Sequence, residues 1–176
     1  LRRGHPTVHT KWNLNTGILS GDTMLILAYQ YFEQYEPNIF QELAKIFSKT
    51  AIEVCEGQQY DVDFEQQAQV STDQYLKMIA YKTAVLVGAA LQMGAIIAQT
   101  TEENKQKIYD FGLALGIAYQ LQDDYLDTFG DASFGKKIGG DILQNKKTLL
   151  YLKALEKGTP EQKQELLTLY STEPKS

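Results

Sequence analysis

The stretch Tyr119-Gln120-Leu121-Gln122-Asp123-Asp124-Tyr125-Leu126-Asp127 decides how this chain is read. It sets three carboxylates inside a run that otherwise has helical apolar spacing. At about 3.6 residues per turn, Asp123 and Asp127 lie one above the other on a helix, with Asp124 beside them. Working outward, Phe111, Leu115, Ala118, Tyr119 and Gln122 are expected along the same side, and Leu121, Tyr125 and Phe129 add apolar bulk. That pattern reads as a buried amphipathic helix and argues against an exposed acidic turn. Burying so much like charge is unfavourable unless something positive neutralises it. Carboxylates at this spacing suit a hard divalent cation, above all Mg2+, which keeps several waters and completes its shell with phosphate oxygens. Asp123, Asp124 and Asp127 are therefore candidate Mg2+ ligands in a site for a metal-bridged phosphate substrate.

The rest of the chain reads as helix. With 176 residues and 43% hydrophobic composition it can build one real core. All four prolines, Pro6, Pro37, Pro160 and Pro174, fit helix edges. Helices are expected from Asn15 to Tyr35, from Pro37 to about Tyr60, and from a Ser71/Gln74 capping box to about Gln99, broken near Lys82-Thr83. Thr100 with Glu103 is expected to open the long acidic helix, which ends at Phe129-Gly130. A Gly- and Lys-rich loop covers Asp131 to Gly140, then comes a helix from Ile142 to Lys157 and a last one opened by Thr159-Pro160-Glu161-Gln162. Gly112 and Gly116, one turn apart, permit a close helix approach. The expected fold is a single all-α domain, a bundle whose site is built from inward-facing side chains.

The net charge of −5 argues against a nucleic-acid backbone as partner. One cysteine, Cys55, excludes an intrachain disulfide, fits a reducing compartment, and is expected as a small buried hydrophobe. The most apolar stretch, Ala84 to Ala98, is interrupted by Gln92 and is short for a bilayer span.

Basic residues complement the carboxylates. Arg2-Arg3 offers paired guanidinium forks for phosphate, although surface arginine pairs are common. Lys82 sits in an apolar helix and needs either an anionic partner or a route to solvent. Lys136-Lys137 lies in the loop after the triad, and Lys146-Lys147 at the start of the next helix. Carboxylates alone would repel a diphosphate; with Mg2+ and lysines they bind one.

Taken together, these residues resemble the trans-isoprenyl diphosphate synthases. Gln120 to Asp127 with Phe129-Gly130-Asp131, Gly135-Lys136-Lys137-Ile138-Gly139-Gly140-Asp141-Ile142 and Asn145-Lys146 looks like that family's second aspartate-rich region. Leu1-Arg2-Arg3-Gly4 with Thr7-Val8-His9 is similar to the segment immediately after its first aspartate-rich motif. Gly21-Asp22, Gly57-Gln58-Gln59-Tyr60-Asp61 and Tyr81-Lys82-Thr83-Ala84 resemble its intervening signatures, in order. The resemblance implies a class I isoprenoid synthase-type helical bundle. It also implies a cytoplasmic homodimeric prenyltransferase that uses several Mg2+ ions to join isopentenyl diphosphate to an allylic diphosphate. Arg2, Lys82 and Lys137 would contact the allylic diphosphate, with Lys146 in support, and Arg3 would contact isopentenyl diphosphate. Thr83 and Gln120, with the Lys82 carbonyl, would face the carbocation, and Asp123 would act through the metal. The first aspartate motif is expected upstream of Leu1, so the chain reads as the middle of a longer synthase. A class I terpene cyclase or head-to-head synthase, an inert subunit of a heteromeric synthase, and a helical interaction domain remain alternatives.

Overall fold

The computed structural model describes residues 4–67, 69–131 and 138–170, and among these every regular element is a helix. The elements are α1 (Val8–Lys11), α2 (Leu14–Gln30), α3 (Pro37–Gln66), α4 (Thr72–Ile79), a π-helical turn (Ala80–Ala84), α5 (Val85–Ile97), α6 (Glu102–Phe129), α7 (Gly140–Leu143), α8 (Leu149–Lys157) and α9 (Pro160–Tyr170). Most of the Gly- and Lys-rich loop expected before α7 lies outside the described residues. The chain divides into two compact units, Leu1–Ser48 and Lys49–Ser176.

In the first unit, Asn13 caps α2 by accepting from the Thr16 amide at 2.8 Å. Tyr29, Phe32 and Phe47 pack edge to face with centroids 4.9–6.1 Å apart, an arrangement that suits ring quadrupoles. The Tyr29 hydroxyl meets the Ser48 hydroxyl at 2.6 Å. The α2 helix ends at Gln30, short of the expected Tyr35.

The second unit is built on the pairing of α5 and the π turn with α6. A Cβ on Gly112 would lie 2.7 Å from the Gly88 Cα, and one on Gly116 would lie 2.5 Å from the Ala84 Cα. The two glycines thus do permit backbone-to-backbone approach. A second cluster, Val70, Tyr75, Met78, Ile79, Tyr151 and Leu152, joins α4 to α8 and takes in Ile117 and Leu121 of α6. The expected caps form: Ser71 and Gln74 exchange both bonds of a capping box, and Thr159 and Gln162 do the same ahead of α9.

Several expectations are corrected. The α6 cap is Thr101, which accepts from the Asn104 amide, and the Thr100 hydroxyl accepts from the Asn104 side chain instead. The expected helix from Ile142 to Lys157 is two helices. Asn145 adopts φ +54°, a left-handed conformation asparagine tolerates, so α7 stops and α8 restarts after Thr148. Cys55 is exposed rather than buried. α3 continues past Tyr60 to Gln66. Finally, the apolar residues flanking the triad do not share its side. At about 100° per residue, Gly112, Gly116, Asp124 and Asp127 form the buried face of α6. Phe111, Leu115, Ala118, Tyr119, Gln122, Tyr125 and Phe129 face outward, with Phe111 59% exposed.

α4, the π turn and α5 form one 26-residue helical run, Thr72–Ile97, which by length and composition alone could cross a bilayer. It is longer than Ala84 to Ala98 because the helical run continues through the π turn. Through Gly88 and Ala84 it packs closely on Gly112 and Gly116 of α6.

Candidate active site

The sequence places Lys82 and Thr83 where the helix breaks, and the break is the π turn, with the Val85 amide bonded to the Ala80 carbonyl. One extra residue in the turn loosens the ladder and re-aims side chains, a frequent device at functional sites. The Lys82 ammonium reaches Asp61 Oδ2 on α3 at 2.5 Å. The anionic partner that Lys82 needed is therefore Asp61. Gly57, one turn before Asp61, brings the backbones together: a Cβ there would sit 2.2 Å from the Lys82 amide nitrogen.

A hydrogen-bond series runs inward from the π turn. Thr83 Oγ1 donates to Gln120 Oε1 at 3.3 Å, and Gln120 Nε2 donates to Asp124 Oδ1 at 3.0 Å. The Tyr75 hydroxyl donates to Asp124 Oδ2. Tyr75 is 1% exposed and Asp124 5%. Burial raises the Asp124 carboxyl above the usual carboxylate range, its two hydrogen bonds oppose that shift, and the charges of Asp141 and Asp123 add to it. Burial and the Asp124 charge push the Tyr75 phenol up in turn.

One turn further along α6, Asp127 is buried and tied to α7. Its Oδ2 accepts from the Asp141 amide at 3.0 Å, and its carbonyl accepts from the Gly139 amide at 2.6 Å. The Asp141 carboxylate pairs with Lys146 at 3.2 Å. Burial pulls the Lys146 ammonium down, but Asp141, Asp61 and Glu65 outweigh it and leave its pKa above the ordinary value. Thr83, Gln120 and Asp124 thus belong to one connected group, Lys82 beside them pairs with Asp61, and Asp127 and Lys146 belong to a further group through Asp141. Asp123 stands half-buried one turn from Asp127 on α6. Arg2, Arg3 and Lys137 lie outside the described residues.

Lys147, expected beside Lys146 as a further cation for an anion, is diverted. Its ammonium caps the C-terminus of α3 through the carbonyls of Phe64 at 2.6 Å and Glu65 at 3.2 Å. Burial lowers its pKa. Lys147→Met is expected to destabilise the protein by about 1–2 kcal/mol through the loss of those bonds. Chemical denaturation would read the change, with turnover almost unaffected.

Among the described residues, no three His, Cys, Asp or Glu side chains converge to cage a metal. Both Asp124 oxygens are spent on Tyr75 and Gln120, whereas Asp123 and Asp127 keep the one-turn spacing that suits a shared cation. A pair of carboxylates is what Mg2+ uses when waters and substrate phosphates supply the rest of its octahedron. The amide bond onto Asp127 orients that carboxylate as an outer-shell group does.

Sequence reasoning gave no role to Asp61, Tyr75 or Asp141. Asp61 and Asp141 lie within quoted motifs, while Tyr75 was hidden in an apolar stripe with Met78 and Ile79.

The same arrangement of helices and motifs is found in known proteins. The profile of the polyprenyl synthetase family matches residues 1–176. A geranylgeranyl pyrophosphate synthase of known structure is 57% identical, with a TM-score of 0.94 over 98% of this chain and 53% of that one. A geranylfarnesyl diphosphate synthase of Natronomonas pharaonis is 40% identical over 90% of this chain and 47% of its own length. A geranyltransferase from Helicobacter pylori, solved with magnesium and isoprenyl diphosphate, is 30% identical, with a TM-score of 0.76 over 96% of this chain and 55% of that one. The chain thus spans about half the length of the relatives it matches. With a match through every residue and a shared helical-bundle fold, the chain belongs to the polyprenyl synthetase family.

Proposed function

We propose that this chain forms part of a trans-prenyltransferase that condenses isopentenyl diphosphate with an allylic diphosphate to a longer trans-prenyl diphosphate. The observation that carries this reading is the series on the π turn. A lysine held by Asp61 stands next to Thr83, whose hydroxyl is linked through Gln120 to the Asp124 carboxylate of α6.

Such a site suits heterolysis of an allylic carbon–oxygen bond, in which the electron pair leaves with the diphosphate. Lys82 and Lys146, with Arg2 and Lys137, hold the leaving diphosphate, and Arg3 holds that of isopentenyl diphosphate. Asp123 and Asp127 are the proposed Mg2+ ligands, and Asp124 serves them as an outer-shell carboxylate. Bound Mg2+ supplies Lewis-acid neutralisation of the departing charge. Thr83 and Gln120 turn oxygen dipoles toward the carbocation while the packed helices exclude water. The isopentenyl alkene then attacks, a carbon–carbon bond forms, and the released diphosphate takes the proton. The same reading carries several Mg2+ ions per site and a cytoplasmic homodimer.

The test is to incubate the complete protein with isopentenyl diphosphate and, separately, dimethylallyl, geranyl or farnesyl diphosphate, reading products by mass spectrometry. Elongated products are expected that vanish on chelation and return when Mg2+ is restored. Cyclic hydrocarbon formed without consumption of isopentenyl diphosphate would move the assignment to a terpene cyclase. No turnover, together with tight association with another synthase, would make the protein an inert subunit.

A further inference from the structure

We infer that Asp124, held in place by Tyr75, is a positioning residue that fixes which way the Gln120 amide points, and so gives the π turn its electron-rich face. The inference rests on the proposed function for its chemical meaning and on hydrogen-bond polarity for its argument. Tyr75 lies on α4, only 1% exposed, seven residues before Lys82. Its hydroxyl donates to Asp124 Oδ2. The phenol proton is thereby committed to Asp124.

An ionised carboxylate only accepts. Asp124 Oδ1 therefore demands a donor from Gln120, and the amide must present Nε2 to it, at 3.0 Å. That leaves Gln120 Oε1 toward the π turn, where it accepts the Thr83 proton at 3.3 Å. With its proton so used, Thr83 Oγ1 turns lone pairs outward. Every polarity along Tyr75, Asp124, Gln120 and Thr83 is set from the buried end. The open end presents oxygen, which stabilises a developing cation; an inverted amide would present N–H groups, which oppose it. A buried network with all members satisfied has one arrangement, which is what fixing a dipole requires.

The test uses Asp124→Asn, Tyr75→Phe and the double variant. The replacement asparagine has one acceptor atom and one donor atom in its side chain. In Asp124→Asn, the Tyr75 hydroxyl claims the acceptor, so the new NH2 group faces Gln120 and forces it to invert. Turnover is expected to fall about 10–100-fold, with KM for both substrates little changed. In the double variant the phenyl ring claims nothing, and the new asparagine can turn its oxygen to Gln120. Turnover is then expected to recover by about tenfold over Asp124→Asn alone. A merely structural role predicts the opposite, a double variant at or below the worse single one, and that result would overturn the inference.

An arm independent of turnover separates this from failure of the proposed reaction. In 15N-labelled protein the Gln120 side-chain amide protons are expected to be protected from solvent exchange in wild type. They should lose protection in Asp124→Asn and regain it in the double variant. Unprotected Gln120 amide protons in wild type would overturn the inference even if elongation is observed. Protection that changes in the expected order would uphold the positioning even if elongation is not.

Discussion

Asp123→Ala is expected to lower the rate of chain elongation by about a thousandfold while leaving the melting temperature within about 3 °C of wild type. The two halves of this prediction have different causes. Asp123 is one of the two proposed Mg2+ ligands on α6, so its loss is expected to remove a metal ligand at the point where charge develops. In the folded protein, however, it is only half-buried and its charge disfavours the ionised form of its buried neighbour Asp124. Deleting it relieves like-charge repulsion and opens no cavity in the core. Steady-state kinetics across Mg2+ concentrations and a thermal melt would check both halves. A collapse in melting temperature equal to that of a core deletion would show that Asp123 is structural.

Gly57→Ala is expected to be the most damaging glycine-to-alanine change among the described residues, costing about 3 kcal/mol or more. The added Cβ would meet the Lys82 nitrogen at 2.2 Å, the Tyr81 carbonyl carbon at 2.6 Å and the Lys82 Cα at 2.8 Å. All three are backbone atoms, so no side chain can rotate away. α3 must separate from the π turn, and the Asp61–Lys82 pair separates with it. Turnover should therefore fall in whatever fraction remains folded. Gly94→Ala is the control: its Cβ meets nothing within 4 Å, and removing a glycine from a helix interior is worth about 0.5–1 kcal/mol in favour of the fold. Urea unfolding of the two variants should move in opposite directions. Equal midpoints would refute the close-packing account.

Local chemistry explains how much of the fold could be read from the sequence. Ser71 with Gln74, Thr159 with Gln162 and the small residues Gly112 and Gly116 act within a turn or two of themselves, so spacing alone exposes them. The break at Lys82-Thr83 was legible because a cation in an apolar helix signals that regular packing has been given up there. The partners were not legible. Asp61 lies 21 residues from Lys82, and Tyr75 lies 49 from Asp124; no periodicity links them. The outward face of α6 defeated the pattern for another reason. Its small residues and carboxylates are inside and its large apolar ones outside, the reverse of what hydrophobicity predicts. Thr100 and Thr101 are chemically equivalent caps, and only the backbone decides between them. Asn145 stops a helix through its backbone conformation and not through its hydrophobicity.

The π turn also sets the phase of a long rod. Its one surplus residue advances the rotation of everything after it by about 100° relative to an uninterrupted α-helix. The half before it can therefore bury Tyr75, Met78 and Ile79 while the half after it buries Val85, Gly88 and Ala89. Excising a single residue between Ala80 and Ala84 would make the helix more regular and the protein worse. Both halves would keep their sequences, but one of them would turn the wrong residues to its partner. At this point in the chain, residue count carries as much information as residue identity.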